Sequence, residues 1–425
     1  MKRLLIHPML YVVSLAFLSG AFTVYAEGDE SFESATIPVE EIRLFAEVFD
    51  RIKSAYVEPV TDKQLLEDAI RGMLSGLDPH SAFLDAKAFE GLQINTSGRF
   101  GGLGIEIGLQ DGFIRVIAPI DDTPAQRAGI QAGDLITKIG EESTQGLSLN
   151  DAVERMRGRI GTKVTITIVR DGVEKPFEVT LERASISVTS VRHRLLETGY
   201  GMIRISQFQN NTADQLKNSI ETLQGMGELK GIVLDLRNNP GGVLQSAVQV
   251  SDAFISEGLI VYTEGRLPNS ELRFNATHDT LLPDIPMVVL INAGSASASE
   301  IVAGALQDHR RAVIMGTDSF GKGSVQTILP VSSGQGVKLT TARYFTPDGR
   351  SIQAEGIRPD VVVQDARITN IESTTGQIRE RDLMGHLSGS DNQRQTNEPL
   401  GQRDYQLYEA LNLLKALNIV QPARN

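Results

Sequence analysis

An uninterrupted apolar run, Pro286-Met-Val-Val-Leu-Ile291, leads within a few residues into Ser295-Ala-Ser-Ala-Ser299 and then into an apolar-rich stretch ending at Gln307. The run reads as a strand buried on both faces, because it shows no alternation of polar and apolar residues. Asn292 to Ser295 is a turn, and Ser299 to Gln307 reads as a helix. The serines therefore lie at a strand-to-helix turn. The first amides of a helix lack intrahelical partners and sit at the positive end of its dipole. An oxyanion formed beside them would be stabilised, and losing one such donor typically costs about 2.7–4 kcal/mol of barrier. The bland alternative is that Ser295 or Ser299 only caps the helix.

Downstream lies Gly321-Lys-Gly-Ser-Val-Gln326. A lysine near its usual pKa of about 10.4 is protonated at neutral pH and accepts no proton. Burial disfavours the charged form and lowers that pKa. Glycines at 321 and 323 let the backbone pack closely around Lys322. Val325 to Leu329 looks like a strand. If strand geometry begins at Lys322, Gln326 shares its face and can hold the nitrogen without adding charge. A solvated loop lysine is the alternative.

A second glycine turn follows a second buried strand. Gly231 to Leu236 is the strand, Arg237-Asn-Asn-Pro-Gly-Gly242 the turn, and Val243 to Ile255 a helix. Bare glycine amides in such a turn can point at an anion. Asn239-Pro-Gly-Gly242 is also an ordinary turn signal.

The two serine and lysine motifs together resemble the C-terminal processing peptidases, or tail-specific proteases. The resemblance covers about residues 37 to 363. It implies that Ser297 is the nucleophile, Lys322 the general base and Gln326 the residue that orients the lysine. It also implies an oxyanion hole made by Ala298 with Gly241 or Gly242, and a core of the crotonase-like spiral kind. Residue chemistry alone does not choose among the three serines.

Between about 98 and 184 the pattern changes. Gly101-Gly-Leu-Gly-Ile105 is followed by strands at 113–117 and 133–139, a short helix at 123–129, a helix at 149–156, and strands at 164–169 and 175–181. This order resembles a PDZ domain. Such domains bind a peptide C-terminus by strand addition, with loop amides on the terminal carboxylate. Here the loop is Gly102, Leu103, Gly104 and Ile105.

The expected fold is α/β: a protease core over 185–365 with a PDZ domain inserted ahead of it at 98–184. A helical region spans 27–97, with apolar spacing at 39–57 and 62–74. A polar linker and an apolar helix, Tyr405 to Leu417, fill 366–425. The two apolar helical faces are expected to pack between subunits, giving at least a dimer. Flexible connections near Gly98 and Ser185 are expected to let the PDZ domain gate the site.

Residues 1–26 read as a cleavable secretory signal: Lys2 and Arg3, an apolar stretch from Leu10 to Phe22, and small residues ending at Ala26. The chain has no cysteine, hence no disulfide and no thiol nucleophile. Export without disulfides fits a bacterial periplasm. With 41 basic and 53 acidic residues the net charge is −12, and losing Lys2 and Arg3 leaves −14. That argues against a nucleic-acid binder. His80, His193, His278, His309 and His386 show no metal-ligand spacing, and neither a metal nor a cofactor is expected. The resemblance further implies cell-envelope substrates such as peptidoglycan hydrolases, exposed C-termini as the recognised feature, and an outer-membrane lipoprotein adaptor as a possible partner. A trypsin-like protease is excluded by domain order and by the lack of Gly-x-Ser-x-Gly. A catalytically inactive PDZ adaptor is the alternative from another class.

Overall fold

The computed structural model describes residues 38–110, 112–266, 270–366 and 400–420. The expected signal segment and nearly all of the expected linker lie outside them. The chain divides into two units, residues 1–69 and 70–425. In the first, helix Val39–Ala55 carries Ile42, Phe45, Val48 and Ile52 on one stripe, and none of its residues is buried. Helix Asp62–Ser75 spans the division.

The second unit is built around a six-stranded sheet. Its order is Val191–Glu197, Tyr200–Ile205, Gly231–Asp235, Met287–Ile291, Val313–Gly316 and Val361–Val362. The first pair is antiparallel and the rest are parallel. Strand Met287–Ile291 shows why its sequence lacks alternation. Met287, Val289 and Ile291 join the core under helices Thr212–Gly225, Leu244–Asp252 and Ala298–Asp308. Val288 and Leu290 point the other way, into a core shared with Leu407, Ala410 and Leu414 of helix Tyr405–Val420.

That second core corrects one expectation. The leucine stripe of the C-terminal helix, expected to face another subunit, packs on its own sheet instead. Val233, Val288, Leu290 and Met315 need cover, and the leucine stripe supplies it. Arg237 locks the helix in place. Its guanidinium donates to both oxygens of Asp404 at 2.8 and 2.7 Å and to both of Asp235 at 2.9 Å.

A second, five-stranded sheet brings Ala82–Leu84, Gly336–Phe345, Leu259–Gly265, Leu272–Asn275 and Ser324–Pro330 together. It carries the lysine segment to the serine turn.

The inserted domain has its own core, including Leu103, Ile114, Val116, Ile136, Ile166 and Ile168. Its helix Leu149–Met156 begins where Ser148 accepts the Asp151 amide at 3.2 Å. The domain is entered and left through a paired ribbon, Arg99–Gly102 against Ala184–Ser187. The two connections expected to be flexible, near Gly98 and Ser185, are thus strands paired with each other. Antiparallel pairing of the two strands satisfies their backbone groups and constrains both at once.

Candidate active site

Ser297 sits immediately before helix Ala298–Asp308, with φ 56° and ψ −113°. A non-glycine residue there is strained by roughly 1–3 kcal/mol and persists only where its surroundings impose it. Those surroundings also separate the three serines. Ser295 is fully buried and donates to the Leu236 carbonyl at 2.8 Å. Ser299 is fully buried and donates to the Asn239 carbonyl at 2.9 Å. Both hydroxyls serve the fold. Ser297 is the one that lines a cavity of about 490 Å³, together with Ala298, Gly241, Gly242, Lys322 and Gln326.

The Asn-Pro-Gly-Gly turn backs directly onto Ser297. Gly241 has φ 96°, and a Cβ there would lie 2.6 Å from the Ala296 carbonyl oxygen and 2.8 Å from the Ser297 Cβ. No other residue fits. Its amide already donates to Asn239 Oδ1 at 2.9 Å. Among the described residues, the amides of Gly242 and Ala298 have no hydrogen-bond partner.

Lys322 is half-buried in the same cavity. Burial pushes its pKa below the usual lysine value, and the ammonium of Lys338 adds to that. Glu300 and Asp78 pull the other way without reversing it. Gln326 reaches the cavity but does not hold Lys322. Its Nε2 donates to Ser324 Oγ at 2.8 Å and to the Ser324 carbonyl at 3.2 Å. The strand begins at Ser324 rather than Lys322, and its register shifts between Val325 and Gln326. The alternation that would align 322 with 326 is broken there.

Three features escaped the sequence reading. Glu300 is fully buried, and its carboxylate ties the two motifs together. One oxygen accepts the Ser297 amide at 2.7 Å and the Lys322 amide at 2.9 Å. The other accepts Ser319 Oγ and the Gly321 amide, both at 2.6 Å. The spacing of Ser297 and Glu300 is that of a capping box, a legible signal. Tyr344 donates to the Lys322 carbonyl and lies within hydrogen-bond reach of Ser297. Burial raises its pKa, so it stays a neutral donor. His80 lies close enough to Lys322 for burial and then that charge to lower its pKa. It belongs to a loop pinned to strand Gly336–Phe345. There Asp78 accepts from Thr340 Oγ1 at 3.1 Å and from Ser81 Oγ at 2.6 Å. His309 is structural, with Nε2 on the Leu259 carbonyl at 2.7 Å.

In the inserted domain, Gly102, Leu103, Gly104 and Ile105 line a groove of about 220 Å³ with Leu149, Val153 and Met156. Among the described residues, the Leu103 and Gly104 amides have no partner. The groove thus offers free donors at one end of an apolar channel. The fold and loop are those of a peptide-binding PDZ domain.

Comparison with known proteins agrees. Residues 199–363 match peptidase family S41, 115–170 a PDZ domain, and 19–88 the N-terminal domain of the activating protease CtpB. A carboxy-terminal-processing protease of Bartonella bacilliformis is 45% identical over 91% of this chain and 89% of its own. A carboxyl-terminal-processing protease of Synechocystis is 39% identical over 76% of this chain and 77% of its own. The solved photosystem II D1 C-terminal processing protease is 31% identical, covering 76% of this chain and 93% of its own, with a TM-score of 0.44. A chain with this serine turn, this inserted domain and relatives of this closeness belongs to the carboxy-terminal processing proteases of peptidase family S41, which are serine peptidases.

Proposed function

We propose that the protease cuts polypeptides with a Ser297–Lys322 dyad. The carrying observation is that Ser297, at the open end of a helix, shares one cavity with a half-buried lysine whose pKa is lowered. Neutral Lys322 takes the Ser297 proton as Oγ attacks the substrate carbonyl. The Ala298 amide and a glycine amide donate to the oxyanion, and Gly242 is favoured because the Gly241 amide is committed to Asn239. The lysine ammonium then protonates the leaving amine. Water, deprotonated by the same lysine, releases the acyl group and restores the hydroxyl. Gln326 acts on the wall of the cavity, and positions Lys322 once Ser324 releases its amide.

The PDZ groove captures an exposed substrate C-terminus, with the free Leu103 and Gly104 amides on its carboxylate. The apolar stripe of Val39–Ala55 joins two copies into a dimer; the C-terminal helix takes no part. The signal-like first 26 residues direct the protein to a periplasm. There its substrates are cell-envelope proteins, peptidoglycan hydrolases among them, delivered in some cases by an outer-membrane lipoprotein adaptor.

The test is peptide hydrolysis by Ser297→Ala, Lys322→Ala and the double variant. Each single change is expected to abolish turnover, and the double to lose no more than either, because base and nucleophile act as one unit. Lys322→Ala retaining near wild-type turnover would remove the lysine from the mechanism. Turnover surviving in Ser297→Ala would remove the serine.

A further inference from the structure

The cavity that holds Ser297 is mostly apolar, and among the described residues its only charged lining groups are two lysines. One is Lys322. The other is Lys338, on strand Gly336–Phe345, directly across from Ile328 of strand Ser324–Pro330. Cross-strand partners point to the same face, and Ile328 and Lys338 both line the cavity. Lys338 is half-buried, yet among the described residues its ammonium has neither an ion pair nor a hydrogen bond. The acids nearby are committed. Asp78 accepts from two backbone amides, Ser81 and Thr340. Glu300 accepts from four donors.

A partly desolvated cation without a partner is costly in a chain of net charge −12, where acidic residues abound. The base reaction does not require it, since the proton goes to Lys322. Its position beside the scissile site suits a charge on the substrate instead.

We propose that Lys338 is a specificity residue of the cleft, its ammonium taking a carboxylate of the bound polypeptide close to the bond that is cut. The proposal rests on the Ser297–Lys322 reading and deepens it. The carboxylate comes from an acidic side chain or from the free end of a short tail. Both present the same anion to the same nitrogen. Lys338 also resolves a conflict within the site. A substrate carboxylate arriving alone would favour protonated Lys322 and disable the base. Paired with Lys338, it reaches the cavity with its charge offset.

The test uses one peptide sequence in four forms. Beside the cut bond it carries Glu or Gln, and at its end a free carboxylate or an amide. Cleavage is measured with the full chain, and equilibrium binding with the Ser297→Ala variant, so recognition is read even without turnover. The wild-type cleft is expected to prefer the anionic member of a pair by about three- to tenfold in kcat/KM, in line with a half-exposed ion pair. Lys338→Met should bring the Glu/Gln ratio close to one, or lower the terminal carboxylate/amide ratio to what the PDZ groove alone confers; Lys338→Arg should keep the wild-type ratio, and Lys338→Glu should lower it beyond Lys338→Met. PDZ binding to a free terminus is common to all variants and cancels when each variant's ratio is divided by that of the wild type. The pair whose ratio collapses distinguishes a side-chain from a terminal carboxylate. An unchanged ratio in Lys338→Met, or equal binding and cleavage of all four forms by the unmodified cleft, overturns the proposal. Failure of the dyad reads differently: turnover then persists in Ser297→Ala or Lys322→Ala, whatever the charge preference.

Discussion

Replacing Glu300 by Gln tests whether one buried carboxylate holds the catalytic geometry. The side chain is fully buried and accepts four hydrogen bonds, two at each oxygen. Glutamine has the same shape but only one oxygen. If that oxygen keeps Ser319 and Gly321, the NH₂ group confronts the Ser297 and Lys322 amides. If it turns over, the other pair is confronted. Either way two buried donors lose their acceptor, at about 1–3 kcal/mol each. The expected loss of stability is about 2–6 kcal/mol, the lower end if the loop relaxes. Chemical denaturation reads this directly. The stronger readout is turnover well below the melting transition, where the variant is still folded. There the strained Ser297 conformation has lost one restraint and the Lys322 loop another. A displacement of about 1 Å at the reacting atoms costs about a hundredfold in rate. Glu300→Asp should also fail, because a side chain one methylene shorter cannot span both turns. A Glu300→Gln protein with unaltered midpoint and turnover would refute the reasoning.

With Lys322 as the proposed base, activity is expected to rise with pH through a midpoint below the ordinary lysine value of about 10.4, since a base must be neutral and burial and Lys338 depress this pKa; a pH–rate profile rising only near 10 would count against it. The linked effect on folding has the same sign. The unfolded chain holds the Lys322 proton more tightly, so this group disfavours folding below its native pKa, and the penalty fades as pH climbs to the unfolded value. Gly241→Ala places a methyl group within 3 Å of the Ala296 carbonyl and the Ser297 Cβ, so kcat should fall about a hundredfold or more, measured against a Gly146→Ala control whose added Cβ meets nothing within 4 Å. Phe45→Glu, on the exposed stripe of helix Val39–Ala55, should lower the oligomeric mass in light scattering. A mass unchanged from a dimer would place the interface elsewhere.

Much of the architecture is legible because each buried strand must satisfy two faces at once. Pro286–Ile291 announces itself as a continuous apolar run and Gly231–Leu236 as one broken only by Asp235, and the structure uses both faces of each. The Leu149–Met156 helix is legible from its spacing and its Ser148 cap. What the sequence hid were partnerships between distant segments. The leucine stripe at 407, 411 and 414 reads equally well as a dimer surface or as cover for a sheet. The choice depends on whether the sheet's second face has any other cover, and the C-terminal helix is that cover. The strand read at Val325–Leu329 is there, at Ser324–Pro330, but it does not reach Lys322, and a register shift after Val325 breaks the alternation that would put Lys322 and Gln326 on one face. Periodicity is a local property and registers no such slip.

The deepest such partnership concerns Glu300. Ser297 and Lys322, the proposed nucleophile and base, lie 25 residues apart, on a helix start and on a glycine turn. Neither segment specifies the position of the other by its own backbone preferences. A single acid at the third position of the serine helix reads both, because its two oxygens face the Ser297 amide and the amides at 321 and 322. Helix capping and base positioning thus become one interaction. The strain at Ser297 has a physical account in the same contacts: burial of Ser295, Ser299 and Glu300 fixes the turn from three sides, leaving Ser297 as the serine of the three that faces the substrate cavity.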